Sequence, residues 1–319
     1  MITFKYYEDK DFYTIESFIL NSYNYDVPAW GLSRHEFCRA LHPDFKSTHK
    51  VWTESMGVFL EDNQIVSAVI SEGAYDGDAF FLFDTQARGE NQTLLKRMVK
   101  FAITHLYHIE SDEITRTLHL YVPTWHTTLR DVVLSMGFIK EDYEEASMHI
   151  EISQKPFEVS LPEGYHFSSE SVPAFYLSHI HRHAFGYELP YAEVGSTAFN
   201  KLREMKHHDE KLEVVILDLD ERPVAFGIAW MDPKMPYAEL EPMAVVWWER
   251  RKGLGKAVIY ELCNRLKQIY PHVLSMTGGD QPFYEAIGFK VKSKTPRYQF
   301  QMKIYKSWDV RSKTENYRF

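Results

Sequence analysis

The chain has 319 residues, of which 45% are hydrophobic and 25% are charged, and its formal net charge is −9; this composition is typical of a globular protein rather than a disordered one. The negative charge argues against a general nucleic-acid-binding protein, which needs a basic face, and no apolar run reaches the roughly 18 residues of a membrane-spanning helix. The N-terminus also lacks the apolar core of a signal peptide, so we expect a cytoplasmic protein that binds neither nucleic acid nor membranes.

The first half of the chain contains three strand-like segments and then two helix-like ones. Met56–Glu61 and Gln64–Glu72 are rich in β-branched and aromatic residues and are joined by two polar residues, which predicts a hairpin. Ala79–Phe83 reads as a further strand and Leu94–Leu106 as a helix. A second helical stretch closes on Leu134–Phe138, where a glycine before phenylalanine predicts a left-handed cap followed by a buried strand.

The second half repeats this order. Leu212–Leu219 and Pro223–Met231 predict a hairpin, Tyr237–Val246 a third strand, and Leu254–Ile269 a helix. Glu285–Phe289 ends in the same glycine–phenylalanine pair. The two series are offset by roughly 150–160 residues, which indicates an internal duplication.

The length favours two domains, because one hydrophobic core rarely organises so many residues. Prolines and glycines in Ser153–Gly164 interrupt every periodic pattern, so we place the boundary there. The expected domains are residues 1–155 and residues 156–319. Strands that alternate with helices predict an α/β (α+β) fold around a mixed sheet in each of them.

The segment Tyr237–Ile269 carries most of the chemical information. Its first part alternates between apolar and polar residues, which places Glu239 and Glu241 on one face of a strand. Pro242 cannot donate a hydrogen bond to a neighbouring strand and therefore predicts a bulge. A basic turn with two glycines, Arg250–Ala257, then leads directly into a helix.

A basic, glycine-containing turn at the start of a helix is suited to bind an anion. The first helical turn leaves backbone N–H groups without helical acceptors, and the helix dipole adds partial positive charge. Gly253 and Gly255 would let a phosphate approach the backbone closely. The alternative for the loop taken alone is a solvated basic turn. The spacing fits neither a nucleoside-triphosphate loop nor a dinucleotide fingerprint, in which a third glycine would replace Val258.

The turn resembles the Arg/Gln-x-x-Gly-x-Gly/Ala signature of the GNAT superfamily of N-acetyltransferases, with Arg250, Gly253 and Gly255 at the matching positions. In that family the loop holds the pyrophosphate of CoA, and the preceding strand offers backbone groups to the pantetheine arm. The resemblance implies acetyl-CoA as co-substrate and no metal. The implied contacts of acetyl-CoA are Met243, Ala244, Val245, Val246, Arg250, Arg251, Lys252, Gly253, Leu254, Gly255, Lys256 and Gln281.

A second family motif, an aromatic residue shortly before a Gly-Phe pair, is matched by Tyr284 and the following Gly288–Phe289. In many members this tyrosine protonates the departing CoA thiolate. The asparagine that many members carry a few residues earlier is absent here, and Gln281 or Asp280 stands where it would contact the CoA arm. The resemblance implies a tandem protein of two GNAT-like domains, each a mixed, twisted sheet flanked by helices with a splayed acyl-CoA cleft.

The first half lacks the chemical residues of the second. In its counterpart of the phosphate loop, Asn91 and Thr93 replace the two glycines, and Glu90 brings negative charge. Val133 stands at the position that matches Tyr284. We therefore expect residues 1–155 to be a degenerate copy that does not bind CoA.

The family's reaction needs a neutral amine. An amine with a pKa of about 10.4 is protonated at pH 7, and making it neutral costs about 4–5 kcal/mol, so a carboxylate base is useful. Glu239 resembles in position the general-base glutamate of some family members, and Glu241 is the second choice. The terminal carboxylate of Phe319, which acts as base in some tandem relatives, is a third. Tyr284 is expected to act as acid.

The resulting prediction is direct transfer of acetyl from acetyl-CoA to a primary amine of an unidentified acceptor, by a monomer or homodimer. A small-molecule amine is the expected partner, and a cationic one would suit the acidic chain; an amino acid and a protein amine remain open. The rival interpretation is an acyl-CoA-binding sensor or pseudoenzyme without turnover, which would need neither Glu239 nor Tyr284. A nucleotide-binding protein is disfavoured by the loop spacing.

Several other polar residues are given structural roles. His179 and His183 would share one helix face without a metal-ligand signature, and His207-His208-Asp209 is interpreted as a solvated helix end. Cys38 and Cys263 have no metal-ligand spacing and are expected to be reduced. An aromatic and acidic connection in this half would suit the lining of an acceptor pocket; it contains Tyr187, Glu188, Tyr191 and Glu193.

Overall fold

The computed structural model describes residues 2–23, 30–41, 56–71, 77–84, 91–187 and 191–303. The helices in these ranges are α1 (Phe12–Ser22), α2 (Leu32–Leu41), α3 (Gln92–His105), α4 (Thr127–Ser135), α5 (Ala174–Phe185), α6 (Tyr191–Arg203), α7 (Leu254–Ile269) and α8 (Pro282–Ala286). The strands are β1 (Thr3–Tyr6), β2 (Met56–Glu61), β3 (Gln64–Ile70), β4 (Asp78–Phe83), β5 (His108–Ile109), β6 (Thr115–Tyr121), β7 (Ile139–Glu151), β8 (His166–Phe167), β9 (Glu213–Leu217), β10 (Pro223–Trp230), β11 (Ala238–Val245), β12 (Ser275–Gly278) and β13 (Lys290–Lys303).

The chain divides into two compact units. The first takes Met1–Gly31, Ser47–Ala146 and Lys292–Phe319, and the second takes Leu32–Lys46 and Ser147–Val291. This grouping differs from two contiguous segments 1–155 and 156–319, because α2 joins the second unit and most of β13 joins the first.

The first unit has a mixed sheet in the order β1-β2-β3-β4-β6-β13. Its neighbours are antiparallel except β4 and β6, which are parallel. The helix α3 turns an apolar stripe towards the core, with Leu95, Met98 and Val99 fully buried. Burial of this stripe stabilises the helix on the sheet.

The second unit has the sheet order β8-β9-β10-β11-β12-β7, in which only β11 and β12 are parallel. Helices cover both faces. Gly227 on β10 faces Val258 of α7, whereas the ring of Phe226 contacts that of Phe199 on α6. Adjacent residues of a strand point to opposite faces, so α7 and α6 lie on opposite sides of the sheet. The sequence of α7 places apolar residues at three- and four-residue steps, which predicts a core-facing stripe. Of these residues Leu254, Val258, Leu262 and Leu266 are buried and Ile269 is half-buried.

The predicted duplication is confirmed by the order of elements. The series β2-β3-β4-α3-β6-α4-β7 in the first half corresponds to β9-β10-β11-α7-β12-α8-β13 in the second. The last strand of each series, however, completes the other unit: Met148–Glu151 of β7 pair with β12, and Arg297–Lys303 of β13 pair with β6. Each half therefore supplies one strand to the sheet built mainly from the other half.

Candidate functional site

The parallel strands β11 and β12 separate in the middle of the second unit. They pair at Ala238–Met276 and Glu239–Thr277, after which β12 ends at Gly278 while β11 continues to Val245. Within the described residues, no strand pairs with this edge of β11 beyond Glu239. The result is a wedge-shaped opening, and on one side of it lies an edge of β11 that is not covered by a strand of the described residues.

The predicted bulge at Pro242 is confirmed. The register between β10 and β11 shifts between Gly227 and Ala229, opposite Leu240–Met243, and the Glu241–Pro242 peptide bond is cis. Because proline donates no hydrogen bond, the ladder tolerates an irregularity there. The bulge re-aims the end of β11 at the point where it leaves β12.

The last residues of β11 offer backbone groups to the opening. Val246 donates its N–H to the carbonyl of Val224 in β10, and successive residues of a strand direct their backbone groups to opposite edges. Met243 and Val245 therefore turn their N–H and C=O groups away from β10. The carbonyl of Val245 accepts a hydrogen bond from Arg250 Nε at 3.4 Å.

The loop after β11 curls its backbone ahead of α7. Arg251 and Gly253 have φ values of 65° and 84°, a left-handed conformation in which glycine is favoured. A Cβ at Gly253 would have no heavy atom within 4 Å, so the space above the loop is open. A Cβ at Gly255 would lie 3.1 Å from the ring of Phe283, so the second glycine is needed for close packing. The first N–H groups of α7 point into this open space.

The cations of the loop fall into two groups. Lys252 donates to Glu249 and to the Tyr165 hydroxyl, each at 2.8 Å, and Arg250 donates to the carbonyl of Ala184. The hydrogen bond to Glu249 raises the pKa of Lys252. These two side chains therefore hold the loop in shape.

Arg251 and Lys256 form the second group of cations. Both are exposed. Lys256 is in the first turn of α7, and its Nζ atom lies 5.0 Å from the ring centroid of Tyr260. They supply positive charge beside the unpaired N–H groups. A negatively charged ligand with two phosphates would match this combination.

Tyr284 lies at the other side of the opening, on α8. A Cβ at Gly278 or Gly279 would come within 2.7 or 2.8 Å of its ring, so the two glycines make room for it. Burial, and then the negative charge of Glu241, raise the pKa of Tyr284 to about 12. The phenol therefore keeps its proton at neutral pH. Gln281 caps α8 and is exposed beside this ring.

Glu239 is buried, with 6% of its surface exposed. Its Oε2 atom accepts a hydrogen bond of 2.8 Å from the backbone N–H of Ser33, at the start of α2. Glu241 is half-buried, and its carbonyl accepts a hydrogen bond from Trp230 Nε1. The two glutamates thus differ in environment: Glu239 is buried and meets the N-terminus of α2, whereas Glu241 is half-buried.

The histidines of α5 pack as predicted. The rings of His179 and His183 lie 4.3 Å apart on one face, whereas His181 is buried against Phe199 and Phe185. Burial lowers the pKa of His181 to about 4, so this ring is neutral at pH 7. Of the expected acceptor-pocket lining, Tyr187 is exposed; Glu188 and the side chains of Tyr191 and Glu193 lie outside the described residues, as do the side chain of Cys38 and the carboxylate of Phe319.

The interpretation of His207–His208 as solvated is wrong. The two side chains are only 6% and 2% exposed, and both contact carboxylates. His207 Nδ1 lies 2.7 Å from Glu36 Oε1 and His208 Nε2 lies 3.2 Å from Glu213 Oε2. Sequence reasoning missed these partners because Glu36 is 171 residues away from His207. No local pattern marks such a contact.

In the first unit the parallel strands β4 and β6 separate as β11 and β12 do, but the residues beside them are different. The parallel strands β4 and β6 pair only at Asp78–His119 and Ala79–Leu120, and the rings of Phe80 and Tyr121 stack at 4.9 Å just beyond. Asn91 caps α3 and accepts hydrogen bonds from the N–H groups of the first turn at 3.1 Å. The groups that would bind phosphate thus have a side-chain partner. Residues 88–90 of the loop lie outside the described residues, and Val133 is buried.

Comparisons with known proteins agree with this geometry. A model of the acetyltransferase (GNAT) family matches residues 176–289, a segment that includes β11, the loop, α7 and α8. Curated protein sequences gave no match. None of the helices in the described ranges is both long and apolar enough to cross a membrane.

Two solved structures match nearly the whole chain. A GCN5-related N-acetyltransferase from Sphaerobacter thermophilus is 12% identical, with 95% of this chain and 96% of that chain covered and a TM-score of 0.56. A tandem GNAT protein from the clavulanic acid biosynthesis pathway is 12% identical, with coverages of 94% and 98% and a TM-score of 0.54. At this identity the likeness establishes the fold, which is that of two consecutive GNAT-like domains.

Proposed function

Because residues 176–289 match a model of the acetyltransferase (GNAT) family and the whole chain has a tandem GNAT fold, we propose that this protein transfers the acetyl group of acetyl-CoA directly to a primary amine. The observation that carries the proposal is the opening between β11 and β12. In support of the proposal, Glu239 lies on β11 where the two strands part, the loop suited to phosphates follows β11, and Tyr284 follows β12.

Backbone groups would make most of the contacts with acetyl-CoA. The N–H groups from Arg251 to Lys256 would bind its pyrophosphate, and the side chains of Arg251 and Lys256 would add positive charge. Met243 and Val245 would hydrogen-bond the pantetheine arm as a neighbouring strand would. Gln281 would contact the arm from α8, in place of the asparagine that many GNAT proteins carry.

The chemical step needs a base and an acid. Glu239 would accept a proton from the amine, directly or through water, and the amine nitrogen would then attack the thioester carbonyl carbon. The adduct then breaks its carbon–sulfur bond with the electron pair staying on sulfur, and Tyr284 would protonate the thiolate. The nitrogen of the new amide would lose its extra proton to the tyrosinate, and Glu239 would release its proton to water. Glu241 is the second choice as base; its charge lies close enough to Tyr284 to raise the pKa of the phenol, which favours a role beside the acid.

The acceptor is proposed to be a small-molecule amine. An amine that carries positive charge would be attracted by the net charge of −9 and by the carboxylates at the opening. The first unit would bind no CoA, because the N-terminus of α3 is capped by Asn91 and two aromatic rings stack just beyond the last paired residues of β4 and β6. One active site per chain follows.

Calorimetric titration with acetyl-CoA tests the proposal without knowledge of the acceptor. We expect one site per chain with a micromolar dissociation constant. Gly253→Glu should abolish binding, because its carboxylate would stand in the open space above the loop. Gly137→Glu is the control, since Gly137 also has a positive φ of 91° but lies in the first unit. Two sites would contradict the assignment of the first unit, and absence of binding would refute the acyltransferase proposal.

An acyl-CoA sensor without turnover is the alternative. A screen of amines with the wild type and with Glu239→Gln separates the two functions. Transfer to an amine by the wild type, strongly reduced in Glu239→Gln, would support the proposal that the protein is an enzyme. Tight binding of acetyl-CoA without transfer to any amine would favour the sensor.

A further inference from the structure

The carboxylate of Glu239 is held by a helix from the other half of the sequence. Ser33 is the second residue of α2, and its N–H donates to Glu239 Oε2 at 2.8 Å. N–H groups of the first turn have no helical acceptor, and the helix dipole is positive there. The hydrogen bond from Ser33 therefore fixes the orientation of this buried carboxylate.

The same helix is anchored one turn further on. Glu36 Oε1 lies 2.7 Å from His207 Nδ1, and His207 Nε2 lies 3.2 Å from Asp232 Oδ2. The side chains of Glu36 and His207 are 0% and 6% exposed. The contact with Glu36 has the geometry of a hydrogen bond, whereas the contact with Asp232 is a close approach of the ring to a carboxylate. Glu36, His207 and Asp232 form what we call the anchor cluster.

The anchor cluster connects back to Glu239 through the sheet. Asp232 follows β10 by two residues, and Trp230 at the end of β10 is paired with Glu239 in β11. Glu239 is thus attached to β10 by the strand ladder and to α2 by Ser33, while α2 is attached to the end of β10 by the anchor cluster. This closed path of contacts fixes the N-terminus of α2 relative to the strand that carries Glu239.

We infer that the anchor cluster positions Glu239 for catalysis by holding the N-terminus of α2 against its carboxylate. The inference rests on the proposed function, because it concerns the residue assigned there as base. Glu36, His207 and Asp232 are positioning residues in this scheme: they act through Ser33 and Glu239 and do not touch the substrates.

The kinetic test uses a double-mutant cycle. His207→Leu should lower kcat by about 10- to 100-fold, because a small displacement of a catalytic group has effects of this size, and should leave the acetyl-CoA dissociation constant within about twofold of the wild-type value. In the Glu239→Gln background the same substitution should lower kcat no further. An equal loss in both backgrounds would overturn the inference.

His208→Leu is the matched control. His208 is the next residue and is equally buried, but it contacts Glu213. It should cost stability without changing the kcat of the folded protein. Glu36→Gln is a second single variant, which keeps an acceptor for His207 without a buried charge. It should fold normally and, unlike His207→Leu, keep most of the wild-type kcat. A kcat for Glu36→Gln as low as that of His207→Leu in folded protein would also contradict the inference, since the contact geometry is kept.

Hydrogen exchange tests the link without any acceptor. The Ser33 amide should exchange faster in Glu239→Gln and in His207→Leu than in wild type or His208→Leu, relative to amides in the middle of α7. If no amine were acetylated, the proposed function would fail while this measurement still decided whether the anchor cluster holds α2. Unchanged Ser33 exchange in His207→Leu would refute the inference directly.

Discussion

Two consecutive glycines at the end of β12 fix the ring of Tyr284. A Cβ at either Gly278 or Gly279 would overlap the ring, so the ring lies directly against the backbone. Burial, and then the negative charge of Glu241, raise the pKa of the phenol to about 12. This arrangement suits an acid that must stay protonated until a thiolate forms.

Tyr284→Phe should lower kcat by roughly 100-fold, the low end of the usual effect of a general acid. The acetyl-CoA dissociation constant should stay within about twofold, because no proposed contact of the bound cofactor is lost. Steady-state kinetics with calorimetry measures both. Tyr260→Phe is the control: the Tyr260 hydroxyl donates to the Ile287 carbonyl, so its loss should cost about 1 kcal/mol of stability and leave kcat unchanged. Unchanged turnover in Tyr284→Phe would remove this residue from the mechanism.

The pH dependence follows from the direction of the same shift. The pKa of Tyr284 is raised from 10.0 to about 12, so the protonated acid persists as the pH rises through the range in which a free phenol would ionise. We expect no loss of kcat from this group between pH 7 and about pH 10. A pH–rate profile whose basic limb below pH 10 disappears in Tyr284→Phe would contradict this assignment.

Local motifs predicted the residues that lie close together in sequence. Gly253, Gly255 and Glu239 belong to one strand–loop–helix segment, so their spacing alone indicated their arrangement. Ser33 is 206 residues from Glu239, and only the folded chain brings them together. A similarly large sequence separation, 171 residues between His207 and Glu36, explains why His207 was wrongly interpreted as solvated. Two histidines at a helix end are expected to be solvent-exposed when the distant carboxylate that contacts one of them is not known.

At the scale of elements, periodicity predicted α7 and β2 to the residue. Leu254–Ile269 and Met56–Glu61 coincide with the observed bounds, because a helix with one apolar stripe and a short β-rich run leave little ambiguity. β3 was predicted two residues too long, to Glu72, whereas it ends at Ile70. Strand ends depend on pairing partners, which the local sequence does not specify.

The packing of α7 on β10 depends on one glycine. A Cβ at Gly227 would lie 2.7 Å from Val258 Cγ1 and 3.2 Å from Leu262 Cδ1. Gly227→Ala should therefore destabilise the protein by about 1–3 kcal/mol through overpacking, measured by urea unfolding. The double variant Gly227→Ala/Val258→Ala should lose less unfolding free energy than the two single variants lose together, because the second change removes the methyl group that the new Cβ would contact. Strict additivity would contradict this account of the contact.

At the scale of the whole molecule, the duplication was predictable and the exchange of final strands was not. Each half carries its own hairpin, helix and Gly-Phe signals, so the repeated order shows in the sequence. β7 and β13 both follow such a signal, and nothing in their composition distinguishes which sheet each completes. Strand pairing is decided by tertiary contacts, which local patterns do not encode.

The exchange predicts that the halves do not fold separately. Residues 156–319 alone lack Met148–Glu151, which pair with β12. They also lack α2, whose Ser33 N–H donates a hydrogen bond to Glu239. An exposed strand edge promotes aggregation, so this fragment should be insoluble and should not bind acetyl-CoA. Co-expression with residues 1–155 should restore binding.

A cleavage experiment provides the control. A specific protease site inserted at the exposed Ser160 would allow the folded chain to be cut after assembly. The cut protein should keep its acetyl-CoA affinity, since no strand or helix is removed. A fragment 156–319 that folded and bound acetyl-CoA alone would contradict the prediction.

The exchange of final strands also couples the evolutionary fates of the two copies. A copy that bound no ligand could ordinarily be deleted without penalty, but here deletion of the first half would strip the second half of Met148–Glu151 and of α2. Selection on the second half would therefore preserve the first half, although not at every position. In descendants of this chain, the loop before α3 is free to drift, whereas Ser33's helix and the end of β7 should change only together with the strands and carboxylates they meet.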